Sequence, residues 1–168
     1  MVDAGVLPQS ESAGQGEHMA RREVVRLDEV EPITFPSGES HASLICGDGV
    51  GSTALTVSQY ILNAHCKNGG GVHPNNDEAY YVLRGAARVL LGGSPADGEG
   101  GRWHDLEADT AVFIPAGTFH HLENDSDEDF VILTLCPQLP VMPGSGLVNE
   151  VKMREWGTTF RLKSTASA

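Results

Sequence analysis

Short runs in which apolar and polar positions alternate, broken by glycine and proline, make up most of this chain, and that period of two predicts strands. Glu23–Leu27 predicts a short first strand. Pro32 and Pro36 then interrupt the chain as no central strand tolerates, so this part is expected to be an edge or an arm. Ser43–Cys46 predicts a strand, 47–51 a loop, and Ala54–Asn63 a longer strand rich in β-branched residues, covered on both faces. Glu78–Arg84 turns at Gly85 into Ala87–Leu91 as a hairpin, and Arg102–Leu106, Ala111–Ile114 and Phe130–Leu135 follow. The last of these is apolar on both faces. Six to eight short strands predict an all-β sandwich or barrel. With Glu78 facing inward, Tyr80 and Val82 do too, while Ala79, Tyr81 and Leu83 face away. The same parity puts Leu122 and Asn124 with His120 and turns Phe119 and His121 outward. Val148–Trp156 predicts a short helix or strand over one end.

Composition supports a turn-rich β protein: the 168 residues include 20 glycines and nine prolines, and 20% are charged. That length suits one domain. Residues 1–22 are polar and aperiodic and are expected to form a flexible tail, 23–162 a single domain with an N-terminal arm, and 163–168 a C-terminal tail.

The formal charge of −12, from 23 acids against 11 bases, repels phosphate backbones and anionic lipid, which argues against a nucleic-acid or membrane partner. The acidic run 123–129 falls at a turn and is expected to be solvated. The three cysteines, Cys46, Cys66 and Cys136, lack C-x-x-C spacing and fit buried thiols in a cytosolic protein. No signal-like start and no long apolar run appear, so a soluble, cytoplasmic protein is expected. The glycine-rich stretch 92–101 lacks the lysine and following helix of a phosphate-binding loop.

Chemistry concentrates in two stretches. GVHPNNDEAYYVLRG (71–85) places His73 and Glu78 at the mouth of a strand, and DTAVFIPAGTFHHLEN (109–124) presents His120 after the tight turn Pro115–Ala116–Gly117. Two imidazoles and one carboxylate converging from neighbouring strands suit Fe(II) foremost, or Mn, Zn, Ni or Co, and leave positions open for substrate and dioxygen. The plain alternative is a structural histidine and a solvent-facing acid. His121, Asn75 and Asp77 are reserve ligands, and His18, His41, His65 and His104 are expected to be polar surface or pocket groups.

The second stretch resembles the second motif of the cupin superfamily, G-x5-P-x-G-x2-H-x3-N, at Asp109, Pro115, Gly117, His120 and Asn124, with aspartate in place of the opening glycine. The first stretch is similar to the first motif, G-x5-H-x-H-x3,4-E-x6-G, through His73, Glu78 and Gly85, with Gly71 where the first histidine would stand. The resemblance implies a double-stranded β-helix, or jelly-roll, barrel with its core at about 43–136, one pocket, and a homodimer built with N-terminal strands. It implies a metal site made of His73, Glu78 and His120. Tyr80 and His104, with Tyr60 or Gln59, are the candidates for proton transfer or hydrogen bonding to a small oxygen-bearing substrate. Cupins include dioxygenases, lyases, isomerases, epimerases, dehydratases, cyclases and ligand binders. A metal-dependent enzyme with dioxygenase-type chemistry leads, ahead of a metal-free epimerase or dehydratase using a histidine and a tyrosine, and of a ligand-binding module.

Overall fold

The computed structural model describes residues 22–137 and 162–163. His18 and Val148–Trp156 lie outside the described residues, as does all of the expected N-terminal tail except Arg22. Eleven strands appear among them: β1 (Ile33–Phe35), β2 (Glu39–Ile45), β3 (Leu55–Leu62), β4 (Cys66–Lys67), β5 (Gly71–Val72), β6 (Glu78–Arg84), β7 (Ala87–Leu91), β8 (Arg102–Leu106), β9 (Ala111–Ile114), β10 (Phe119–Asn124) and β11 (Phe130–Pro137). They form two antiparallel sheets, one in the order β1-β2-β3-β11-β6-β9 and one in the order β4-β10-β7-β8, with β5 also paired to β10. This is a jelly roll. The sheets face each other without closing through hydrogen bonds among the described residues, so the expected barrel is an open one.

Glu23–Leu27 is not a strand; the chain instead makes a 3-10 turn at Leu27–Glu29 before β1, the edge strand that Pro32 and Pro36 bracket. Residues 162–163 return to this arm through a Val30–Leu162 bridge and a hydrogen bond from Lys163 N to Glu29 O. The expected loop after β2 contains a single helical turn, Gly47–Val50, closed by Gly51 at φ 71°.

Inward parity follows the alternation. Tyr80 and Val82 are buried while Tyr81 and Leu83 are exposed, and His120, Leu122 and Asn124 are all buried. Phe119 faces away from them yet is also buried, since Gly70, at φ 66°, covers its ring where a β-carbon would collide with it. The apolar centre joins Leu62, Phe130, Ile132 and Val82 of one sheet to Val89, Leu106 and Leu122 of the other. Each such buried side chain contributes roughly 1.5–3 kcal/mol.

The inner face is graded along its length. Leu62, Phe130 and Val82 fill one end, while across the register Ser43–Ser58–Thr134–Tyr80 line a more polar row that leads to Glu78. At the apolar end Asn124 is wholly buried and binds the chain together. Its Nδ2 donates to the carbonyls of Leu62, Asn63 and Glu128 at 3.0, 3.1 and 2.8 Å, and its Oδ1 accepts from Ser126 N and Oγ. The hairpin between β6 and β7 needs Gly85, at φ 82°, because a β-carbon there would stand 2.5 Å from Asp129 O.

Candidate metal centre

Three elements carry the donors. Glu78 opens β6, His120 is the second residue of β10, and His73 follows β5, whose Gly71 is the register partner of His120. Two hydrogen bonds fix the connection holding His73 against the turn before β10: Gly117 N donates to His73 O at 2.8 Å and Ala116 N to Asp77 Oδ1 at 2.9 Å. Gly117 takes φ 77°, which suits the tight turn expected at Pro115–Gly117. Asp77 is thereby occupied as a backbone acceptor at an exposed position, and Asn75 is also exposed.

The donor atoms converge. Glu78 Oε2 lies 3.2 Å from His73 Nε2 and 3.5 Å from His120 Nε2, and one donor atom from each residue lies within 4.8 Å of the others. The two imidazoles stack, with centroids 5.1 Å apart at 21°. Side-chain exposures of 19%, 11% and 7% for His73, Glu78 and His120 put the cluster largely below the surface. His120 Nδ1 is 3.2 Å from Thr118 O, an arrangement that makes Nδ1 the donor and frees the Nε2 lone pair toward Glu78. Burial holds the His120 pKa below its ordinary value, and Glu78 only partly opposes this, so the imidazole is neutral as a ligand must be.

Other groups surround the trio. The Tyr80 hydroxyl donates to Glu78 Oε2 at 3.3 Å, and its ring meets His120 edge-on at 6.2 Å. Burial and then Glu78 push the phenol well above its usual pKa, so it remains a proton donor. Cys136 is partly buried, and burial followed by the charge of Glu78 raises its thiol to about 12. Tyr60 is buried on β3 opposite His41 of β2. Burial and then Glu39 raise the Tyr60 pKa.

Sequence reasoning assigned His41 to a surface or pocket position; the structure buries it, with its pKa lowered to about 4 by burial against the opposing pull of Glu78. What the sequence did not indicate is that His41 and Cys136, the latter expected as a buried thiol, both feel the Glu78 carboxylate. His104 is exposed on the edge strand β8, and the structure does not bring it to the trio. Gln59 belongs to the opposite face, where it lines a groove with Ala42 and Ile61. His121 is on the outer face, paired to Glu123 at 3.2 Å and edge-on to Trp103, and His65 is exposed beside Asp127.

The donor set suits a divalent ion: two neutral imidazoles and one carboxylate with their reactive atoms turned toward one another. Gly71 leaves the fourth position unfilled by protein, as a β-carbon there would lie 3.8 Å from His120 Nε2 with nothing else but Cε1 of the same ring within 4 Å.

Comparison with known proteins agrees with this architecture. Residues 66–136 match the model of the family described as Cupin domain. Among solved structures, the chain is similar to Bacillus subtilis oxalate decarboxylase, described through its Mn(II) centres, at 24% identity and a TM-score of 0.56 over 64% of this chain and 28% of that one. A formate complex of Lactobacillus farciminis oxalate decarboxylase is similar at 18% identity and a TM-score of 0.56, over 65% of this chain and 31% of that one. This chain therefore spans less than a third of either decarboxylase, and the likeness establishes the fold. No curated protein sequence matches it. The stretch 66–136 is thus similar to a cupin domain, set in a jelly roll like that of these decarboxylases.

Proposed function

We propose that this cupin is a metal-dependent enzyme acting on a small oxygen-bearing organic molecule, with dioxygenase-type chemistry ahead of lyase, isomerase or cyclase chemistry. The observation that carries the reading is the convergence of His73 Nε2, Glu78 Oε2 and His120 Nε2. A bound divalent ion supplies Lewis acidity toward substrate oxygens and, when redox-active, electron transfer with dioxygen.

The chain's own residues do the rest. His73, Glu78 and His120 would hold the ion. Tyr80, protonated and in contact with Glu78, offers a proton or hydrogen bond to a substrate oxygen. The apolar floor of Leu62, Phe130 and Val82 keeps bulk water from entering behind the substrate. Fe(II) leads among the candidate ions and Mn follows, consistent with the Mn(II) centres of the B. subtilis fold relative.

Elemental analysis of protein purified without a histidine tag tests this. About one ion per chain is expected for the native sequence, with little retained by His73→Ala or Glu78→Ala. Negligible or unchanged metal overturns it. The reading also takes the protein to be a cytoplasmic homodimer; exposed Tyr81, Leu83 and Phe113 support the dimer, and light scattering tests it. No helix among the described residues is long and apolar enough to cross a membrane.

The hydrogen-bonded Tyr80–Glu78 pair, with Gly71 in place of a ligand, favours a second reading, metal-free acid–base catalysis in the same pocket. Undiminished turnover in chelator would choose it.

A further inference from the structure

We infer that Gly71 is a specificity-determining residue, because the coordination position it leaves open on the β5 side of the centre takes a donor atom of a singly negative, bidentate oxygen chelator. This rests on the reading of His73, Glu78 and His120 as a metal site. Three observations carry it.

The first is direction. Gly71 pairs with His120 across β5 and β10, and a β-carbon on it would point to the His120 imidazole, at 3.8 Å from Nε2 and 3.9 Å from Cε1. Any longer side chain there enters the space beside the donor atoms.

The second is backbone freedom to carry such a side chain. Gly71 does not have a positive φ, unlike its neighbour Gly70 at 66°, so its conformation is one that other residues adopt. The chain does not need glycine at 71 for its turn. What glycine provides at this position is room.

The third is charge. The buried polar side chains among the described residues are Glu39, His41, Ser43, Ser58, His120 and Asn124, and none is Lys or Arg. Glu39, the carboxylate in that set, opens β2 opposite Leu62 at the apolar end and accepts from Ser37 Oγ, so a divalent ion beside Glu78 leaves one net positive charge at the centre itself. That matches one negative charge on a ligand, while a second carboxylate would be desolvated without a cation to pair with it.

A hydroxy-ketone that ionises once and chelates through both oxygens has the required form, and kojic acid is a suitable probe. The full chain, loaded with Mn(II) and with metal content measured on the same samples, is titrated with kojic acid and with oxalate, following binding by calorimetry and by the Mn(II) resonance spectrum. Kojic acid is expected to bind the native protein more tightly than the dianion. Gly71→Ala, whose added methyl makes only ordinary contacts, is expected to weaken kojic acid severalfold, and Gly71→Leu to weaken it at least tenfold, both retaining Mn(II). Gly71→His is expected to hold Mn(II) more tightly while losing kojic acid. Kojic acid binding that is equal in native, Ala and Leu proteins overturns the inference, as does tighter binding of oxalate to the native protein. A native chain that retains no Mn(II) overturns the metal reading itself, and the metal analysis distinguishes that outcome from the others.

Discussion

The Tyr80 hydroxyl donates to Oε2 of Glu78, the same oxygen that faces Nε2 of both His73 and His120. Tyr80 is therefore the group that aims the carboxylate, from two residues along the same strand. Removing a hydrogen bond that orients a ligand costs about 10–100-fold in metal affinity. Tyr80→Phe is expected to weaken Mn(II) binding by about tenfold in a competition titration, whereas Glu78→Ala abolishes it. Equal affinity of Tyr80→Phe and native protein would remove Tyr80 from this role.

His41 predicts a pH dependence of stability. Its pKa falls from 6.5 unfolded to about 4 folded through burial, with Glu78 opposing. Between those values the unfolded chain binds more protons than the folded one, so stability rises with pH across this window and is lost as pH falls from 6.5 toward 4. The contribution is on the order of 3 kcal/mol. Denaturant titrations of metal-free protein at pH 7 and pH 4.5 should show a smaller loss for His41→Gln than for the native chain.

Asn124 predicts a structural cost at a motif position. Its amide serves the carbonyls of Leu62, Asn63 and Glu128 in a buried place that water does not reach. Asn124→Ala leaves those partners without it and is expected to destabilise the fold by about 2–4 kcal/mol, read from the urea midpoint. Metal content of the folded fraction should be unchanged.

Asp109 predicts a gain. It stands where the cupin motif has glycine and takes φ 66°, a left-handed conformation that costs a side-chain-bearing residue about 1 kcal/mol. Its carboxylate accepts an exposed hydrogen bond from Tyr81 Oη at 3.0 Å, which returns only a small part of that. Asp109→Gly is expected to raise the melting temperature by a few degrees; a lower one would show that the Tyr81 contact dominates.

Much of the fold and of the site was legible wherever inward residues are apolar or belong to a spaced motif. Tyr80 and Val82 turn inward and Tyr81 and Leu83 outward as the alternation required, and the spacing of His73, Glu78 and His120 brought together residues up to 47 positions apart in sequence, the separation of His73 and His120. What escaped was polar. β2 begins at Glu39, ahead of the Ser43 start the pattern suggested, because Glu39 and His41 are buried polar residues and contribute nothing to an apolar period. His104 and Gln59 failed for other reasons. His104 sits opposite buried Val89, yet its strand is an edge open to solvent, and the face to which Gln59 turns depends on a sheet whose register no local pattern reports. Glu23–Leu27 has strand composition but pairs with no strand among the described residues, and there the chain makes a 3-10 turn at Leu27–Glu29.

The two hydrogen bonds between the His73 connection and the Pro115–Gly117 turn have a mechanical meaning. The backbone at His73 does not move as a free loop would, since its own carbonyl is latched to Gly117 and the Asp77 side chain to Ala116. That turn leads directly into the strand bearing His120. The backbones that carry the two histidines are thus fastened to each other as the two leaves of one clasp, so the spacing of their Cα atoms is set before anything is bound.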